Sequence, residues 1–271
     1  MTAAPAQKPL LAANWKMNPI TAADAAELVK ELLPVAAENP AVDVVFCPPF
    51  PWLLGVAELL EGSDVQLGAQ NCYWEKSGAF TGEVSADMLA GWCSWVIVGH
   101  SERRNLFGES DQDVARKAAA ALGAGLQVIV CVGELDEHKN TGQTERIVHE
   151  QVSGSLAECA ADDSPRLVIA YEPVWAIGSG QNADPEHAYR TMRVIRSAAG
   201  ELLGAGAARR IRVLYGGSVN AGNVESYVEL PMCDGCLVGG ASLKAGEFAQ
   251  MIRTTADVYS PREVRASRGD Q

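Results

Sequence analysis

Three short polar stretches interrupt otherwise apolar runs and carry groups able to move protons or hold charge: Asn14-Trp15-Lys16, Gly99-His100-Ser101-Glu102-Arg103-Arg104 and Tyr171-Glu172-Pro173. A carboxylate can take a proton from a carbon beside a carbonyl, and a neutral imidazole can donate a hydrogen bond to that carbonyl oxygen and then shuttle a proton. Ser101 and Glu102 read as the start of a helix, and the positive end of that helix disfavours imidazolium at His100. Two further stretches, Tyr215-Gly216-Gly217-Ser218 and Val238-Gly239-Gly240-Ala241-Ser242, end in glycines whose backbone N–H groups can approach an anion closely; two successive strands ending this way favour a phosphate. Between Pro173 and Ala183 a rigid start, an apolar middle with Trp175 and Ile177, and glycines at 178 and 180 read as a lid that expels water. Each residue alone has an ordinary reading: Lys16 a solvated charge, His100 a helix cap, Glu172 half of an ion pair. Their convergence is what needs explaining.

The elements that must bring them together follow from patterning. Apolar, β-rich runs near 9–14, 42–47, 64–69, 94–98, 126–132, 166–171, 210–215 and 235–239 alternate with helical stretches near 21–37, 51–60, 84–91, 112–123, 143–160, 185–203, 220–229 and 245–256. The strands are almost wholly apolar, as parallel strands covered on both faces should be. Eight βα units in one chain predict an α/β fold of the (β/α)8 TIM-barrel type, a single domain over 9–257, with 1–8 and 258–271 as flexible tails. A doubly wound open sheet is the structural alternative, but no G-x-G-x-x-G follows the first strand. In a barrel of this type the active site gathers at the C-terminal ends of the strands, which is where the polar stretches fall.

Composition narrows the partners. The 271 residues carry 22 Lys and Arg against 34 Asp and Glu, a net charge of −12, which disfavours a nucleic acid or an anionic membrane as partner. An anionic ligand would need locally placed positive groups. Seven cysteines, most of them inside apolar runs, read as buried reduced thiols, and Cys233-Asp234-Gly235-Cys236 lacks the second pair that a zinc site needs. No secretory signal, membrane-length apolar stretch or N-x-[ST] sequon is seen, so the expectation is a cytoplasmic protein. No P-loop, G-x-S-x-G or paired-His metal spacing is present, so neither a nucleoside triphosphate nor a metal is implied.

Asn14-Trp-Lys-Met-Asn18, Gly99 to Arg104, Ala170-Tyr-Glu-Pro-Val-Trp-Ala-Ile-Gly178, Tyr215-Gly-Gly-Ser218 and Leu237-Val-Gly-Gly-Ala241 together resemble the triosephosphate isomerase family, in the family's order, over roughly 9 to 257. The resemblance implies interconversion of dihydroxyacetone phosphate and D-glyceraldehyde 3-phosphate through an enediol or enediolate, without cofactor or metal, in glycolysis and gluconeogenesis. It implies Glu172 as the base, His100 as the group that polarises the carbonyl, Lys16 as partner of substrate charge and Asn14 as an orienting amide. Gly178, Ser218, Gly239 and Gly240 would hold the phosphate, and Ile177 and Leu237 would wall the carboxylate and raise its basicity. It also implies a homodimer in which the loop Gln70 to Glu83, with Tyr73, Trp74 and Phe80, enters the neighbouring subunit. Gln181 and Asn105 depart from the family pattern without touching a catalytic position. An aldolase-type lyase, which would want a Schiff-base lysine inside the barrel, and a catalytically silent barrel scaffold are the competing functions.

Overall fold

Alternation along each strand decides which side chains fill the middle of the molecule and which meet the helices. In the computed structural model, which describes residues 7–177 and 182–267, eight parallel strands close into a barrel in sequence order. They are β1 (Leu10–Asn14), β2 (Asp43–Cys47), β3 (Gln66–Ala69), β4 (Trp95–Val98), β5 (Gln127–Val132), β6 (Leu167–Tyr171), β7 (Arg212–Tyr215) and β8 (Gly235–Val238). β1 closes the ring on β8, with Leu10 opposite Gly235 and Ala12 opposite Leu237.

One core cluster lies inside the ring: Leu10 and Ala12 of β1, Val45 and Cys47 of β2, Trp95 and Ile97 of β4, Ile129 and Cys131 of β5, Val168 and Ala170 of β6, with Leu214 and Leu237. The residues between them, such as Leu11, Ala13, Val96, Val130 and Ile169, belong to the second, larger cluster under the helices. The inward parity continues past the apolar core: 10 and 12 lead to Asn14, and 168 and 170 lead to Glu172. The polar groups are thus the next inward positions once the barrel interior is filled, at the strands' C-terminal mouth.

The helices expected after each strand are present, several with the caps their sequences offer: Thr21 Oγ1 accepts from the Asp24 N–H at 3.1 Å and Ser85 Oγ from the Met88 N–H at 3.2 Å. Some boundaries differ: the helices expected over 143–160 and 220–229 are shorter, Thr144–Ser155 and Val224–Val228, and the two ends of the chain depart as well. The last helix, expected over 245–256, runs Ala245–Ser267, so much of the segment from 258 expected as a tail is helical. Tyr259 is the reason visible in the structure, since its hydroxyl donates to the Cys233 carbonyl at 2.6 Å and its ring packs on the core. At the other end, Gln7 Nε2 donates to the Arg210 carbonyl at 2.9 Å and the Lys8 carbonyl accepts from Arg212 at 3.3 Å, so the expected tail 1–8 is tied down at its last two residues. All seven cysteines are unpaired as thiols, six of them buried.

Candidate active site

β4 is followed by Gly99, whose φ of +68° suits glycine and where a Cβ would lie 2.8 Å from Val114. The turn throws His100 to the N-cap of the helix Ser101–Phe107. There the Glu102 N–H donates to His100 Nδ1 at 3.2 Å, which fills that lone pair and assigns the ring proton to Nε2. Nε2 in turn lies 2.9 Å from Glu172 Oε1, while the Ser101 N–H donates to Glu172 Oε2 at 2.8 Å. Both side chains are buried, His100 at 5% and Glu172 at 2% exposure.

Lys16 reaches the same mouth from the end of β1. Its Nζ lies 2.6 Å from Glu102 Oε1, and its backbone N–H donates to Asn14 Oδ1 at 3.1 Å. Asn14, Lys16, His100, Glu172, Ser218, Gly239 and Gly240 all line one cavity of ≈ 290 Å³, together with Ile177 and Leu237. The structure therefore brings together every site residue singled out in the sequence except Gly178, which lies outside the described residues, as does Gln181.

Electrostatics at the centre differ from expectation. Burial pushes the Glu172 carboxyl up, but His100, the Ser101 N–H and Lys16 outweigh it and leave its pKa below the ordinary value. The raised basicity expected from apolar walls is therefore absent in this arrangement. Burial likewise pulls the His100 imidazole down, and the adjacent Glu172 carboxylate more than reverses that, leaving the pKa raised. The helix end, which alone disfavours imidazolium, is thus overridden while the carboxylate rests on the ring. The Glu102 N–H still claims Nδ1, so the neutral Nε2–H form is the one the local backbone is built to hold.

Sequence reasoning missed three supporting groups. Glu102, read only as a helix-start residue, is the anion that holds the Lys16 ammonium. Glu109 accepts from the Gly99 N–H at 3.1 Å and from Arg103 at 3.2 Å, and pairs with the buried ammonium of Lys117, which also donates to Asn71. Arg104 ties the end of β4 to that of β5, donating to the Gly99 carbonyl at 2.7 Å and the Cys131 carbonyl at 3.1 Å. The double arginine beside His100 was the available signal. Beyond Glu172, the loop start is anchored by the buried Glu134 carboxylate, which accepts from Trp175 Nε1 at 2.8 Å and Tyr171 Oη at 3.0 Å.

A carboxylate, a neutral imidazole N–H and an ammonium around one cavity, beside glycine-rich strand ends, can bind a small anion and move a proton between neighbouring carbons. Among the described residues no cluster of His, Cys, Asp or Glu is arranged to hold a metal ion. The sequence model of the triosephosphate isomerase family matches residues 9–255. A triosephosphate isomerase of Rhodopirellula baltica is 47% identical over 245 residues, covering 90% of this chain and 96% of the relative. One of Chloroflexus aurantiacus is 48% identical over 245 residues (90% and 98%), and one of Geotalea uraniireducens 44% over 249 residues (91% and 98%). With the match running through all eight strands and every described site position, this chain belongs to the triosephosphate isomerase family.

Proposed function

We propose that this chain interconverts dihydroxyacetone phosphate and D-glyceraldehyde 3-phosphate, the step shared by glycolysis and gluconeogenesis, with Glu172, His100 and Lys16 as its catalytic residues. The observation that carries the assignment of residues is the 2.9 Å contact between His100 Nε2 and Glu172 Oε1 inside the cavity that Lys16 and the glycines after β8, Gly239 and Gly240, line. Glu172 takes the proton from the carbon beside the carbonyl and returns it to the neighbouring carbon. The His100 Nε2–H donates to the carbonyl oxygen as negative charge develops there, then moves protons between the two oxygens of the enediolate. Lys16 pairs with substrate charge, and Asn14 fixes the backbone turn that presents it. Ser218 and the backbone of Gly239 and Gly240 receive the phosphate. The reaction needs neither cofactor nor metal, because every proton it moves has a side chain to carry it.

Glu172→Asp withdraws the carboxylate by one methylene. It should lower kcat by about two orders of magnitude or more while leaving the affinity for a phosphate-bearing analogue nearly unchanged. A coupled assay on glyceraldehyde 3-phosphate measures the first and inhibition by glycerol 3-phosphate the second; wild-type-like turnover in the variant overturns the role given to Glu172.

A second copy of this chain is the proposed partner, seated beside Lys16. Met17 (90%), Ile20 (87%), Leu106 (74%) and Phe107 (69%) are exposed to a degree unusual for large apolar side chains, all near the Lys16 and His100 segments. The loop Gln70 to Glu83 carries a stacked Tyr73–Trp74 pair with ring centroids 4.1 Å apart, and Phe80 beside it at 4.8 Å. That aromatic knot is of the kind that anchors interfaces. A cytoplasmic location is proposed on the buried unpaired thiols. No described helix is long and apolar enough to cross a membrane.

A further inference from the structure

The cavity that holds His100 and Glu172 is also lined by a second ammonium, Lys244, and a second carboxylate, Glu247, neither of which the proposed reaction uses. Lys244 closes the short helical turn Gly240–Leu243, its backbone N–H donating to the Ala241 carbonyl at 3.3 Å. Buried Ser242 fixes that turn from within, since its Oγ and its N–H both donate to the Gly239 carbonyl, at 2.7 and 2.8 Å. The last helix starts directly after Lys244, and in its first turn Glu247 Oε2 meets Lys244 Nζ at 3.2 Å. The ammonium is therefore carried by the same turn that presents Gly239 and Gly240 to the cavity.

A phosphate ester carries between about 1.5 and 2 negative charges at pH 7. With His100 neutral, the described residues around the cavity offer it no surplus of positive charge. Lys16 and Lys244 are matched by Glu172 and Glu247, and Glu102 already holds the Lys16 ammonium at 2.6 Å. Positive charge must be released from one of the lysine pairs when the anion arrives, and the two differ in how firmly they hold. The Lys16 side chain is 27% exposed and its contact is short. The Lys244 side chain is 74% exposed, and its contact with a carboxylate three positions along the chain is of the solvent-screened kind that contributes little. Exchanging Glu247 for a phosphate oxygen thus costs Lys244 little and gains attraction to a larger charge.

We propose that Lys244 selects a doubly charged phosphate: it leaves Glu247 for the phosphate received at Gly239 and Gly240, and Glu247 is the competitor that limits the affinity this exchange yields. The inference rests on the reading of the cavity as the site of a phosphate ester. The phosphate takes no part in the proton transfers, so the attraction acts alike in ground state and transition state and appears in KM more than in kcat.

Isothermal titration calorimetry tests the exchange, with glycerol 3-phosphate as the doubly charged ligand and dihydroxypropanesulfonate as its singly charged counterpart. Lys244→Gln should weaken glycerol 3-phosphate binding roughly three- to tenfold at about 0.01 M salt and by less at about 0.15 M. The loss for the sulfonate should be smaller, and KM should rise in step with the first loss while kcat changes less. Lys244→Arg should recover most of the affinity. Glu247→Gln should tighten glycerol 3-phosphate binding by about twofold or more, and that gain should shrink in the Lys244→Gln background, where no ammonium is left to release. A merely structural pair would behave differently, because breaking the contact from either side would loosen the turn and weaken binding alike. Equal affinity in the wild type and Lys244→Gln, an equal loss for the two ligands, or weaker binding in Glu247→Gln overturns the proposal. Calorimetry needs no turnover, so a wild-type protein that binds glycerol 3-phosphate without isomerase activity would overturn the reaction and leave the exchange to be decided by the affinities. One that binds neither ligand overturns both.

Discussion

At the contact between His100 and Glu172, burial and pairing oppose each other on both groups. Burial disfavours either charge, and each group's partner restores it. The sign of the pH dependence follows. Glu172 has a lowered pKa in the folded state, so its stabilising contribution is present above the ordinary carboxylate value of 4.5 and is lost as pH falls through the folded value. His100 has a raised one, so its contribution is complete below the ordinary 6.5 and is lost as pH rises through the folded value. The pair therefore stabilises fully between these limits. Removing the charge with Glu172→Gln leaves burial and Lys16 as the main influences on the ring, and both lower it. A carbon-detected or proton NMR titration should place His100 above the ordinary histidine value in the wild type and below it in the variant. No difference between the two would mean that Glu172 does not control the ring. The same reasoning bears on the proposed reaction: a carboxylate that leaves the ring for the substrate carbon would leave the imidazole in surroundings that favour the neutral Nε2–H form, as proton donation to a carbonyl requires.

Glycines at strand ends serve two different purposes, which substitution should separate. At Gly133, directly after β5, a Cβ would fall 1.6 Å from the Glu172 carbonyl oxygen, whereas at Gly240 it would meet nothing within 4 Å. Gly133→Ala should therefore cost stability, by about 3 kcal/mol, and displace Glu172, while Gly240→Ala should leave the denaturation midpoint unchanged and affect only KM for the phosphorylated substrate. Urea unfolding followed by tryptophan fluorescence reads the first effect and steady-state kinetics the second; equal midpoints for the two variants would contradict it. Nothing in the sequence marks Gly133 as it marks the Gly239-Gly240 pair, since the obstacle to Gly133 lies at the end of another strand. The strands themselves were legible, because a parallel strand buried on both faces writes itself as an unbroken apolar run, and all eight lie within two residues of their expected positions. Asn14, His100 and Glu172 were legible for a related reason: they are the polar residues met where such a run ends. Glu102, Glu109 and Gln70 were not. Glu102 and Gln70 meet Lys16 only once the barrel closes, from 86 and 54 positions away along the chain, Gln70 through its amide on the Lys16 carbonyl, and Glu109 meets Gly99, Arg103 and Lys117 only once the segments after β4 fold back on one another. Nor did the ordinary and functional readings exclude one another: His100 does cap a helix, and Glu172 does have a paired partner, the His100 ring.

For the whole molecule the net charge of −12 sets a different problem from the one it poses to substrate. Inside the mouth, the proposed receivers of an anionic substrate are Lys16 and the backbone of Gly239 and Gly240, which line the cavity whatever the distant surface carries. Between two copies of the chain, however, like charges meet across the proposed interface with no such local relief. Its exposed members are mostly apolar: Met17, Ile20, Leu106 and Phe107 gain from burial, and that gain changes little with ionic strength. The repulsion is screened over about 30 Å at 0.01 M salt and about 8 Å at 0.15 M. Association should therefore tighten as salt is raised over that range. Sedimentation equilibrium of the 28.7 kDa chain should show twice that mass at 0.15 M salt, with a larger dissociation constant at 0.01 M. Phe107→Glu adds an unpaired charge to the apolar patch and should shift the equilibrium toward single chains at both salt concentrations by about tenfold or more, since one buried unpaired charge costs several kcal/mol. Weaker association at high salt would show instead that ion pairs, rather than the apolar side chains beside Lys16, hold the two copies together.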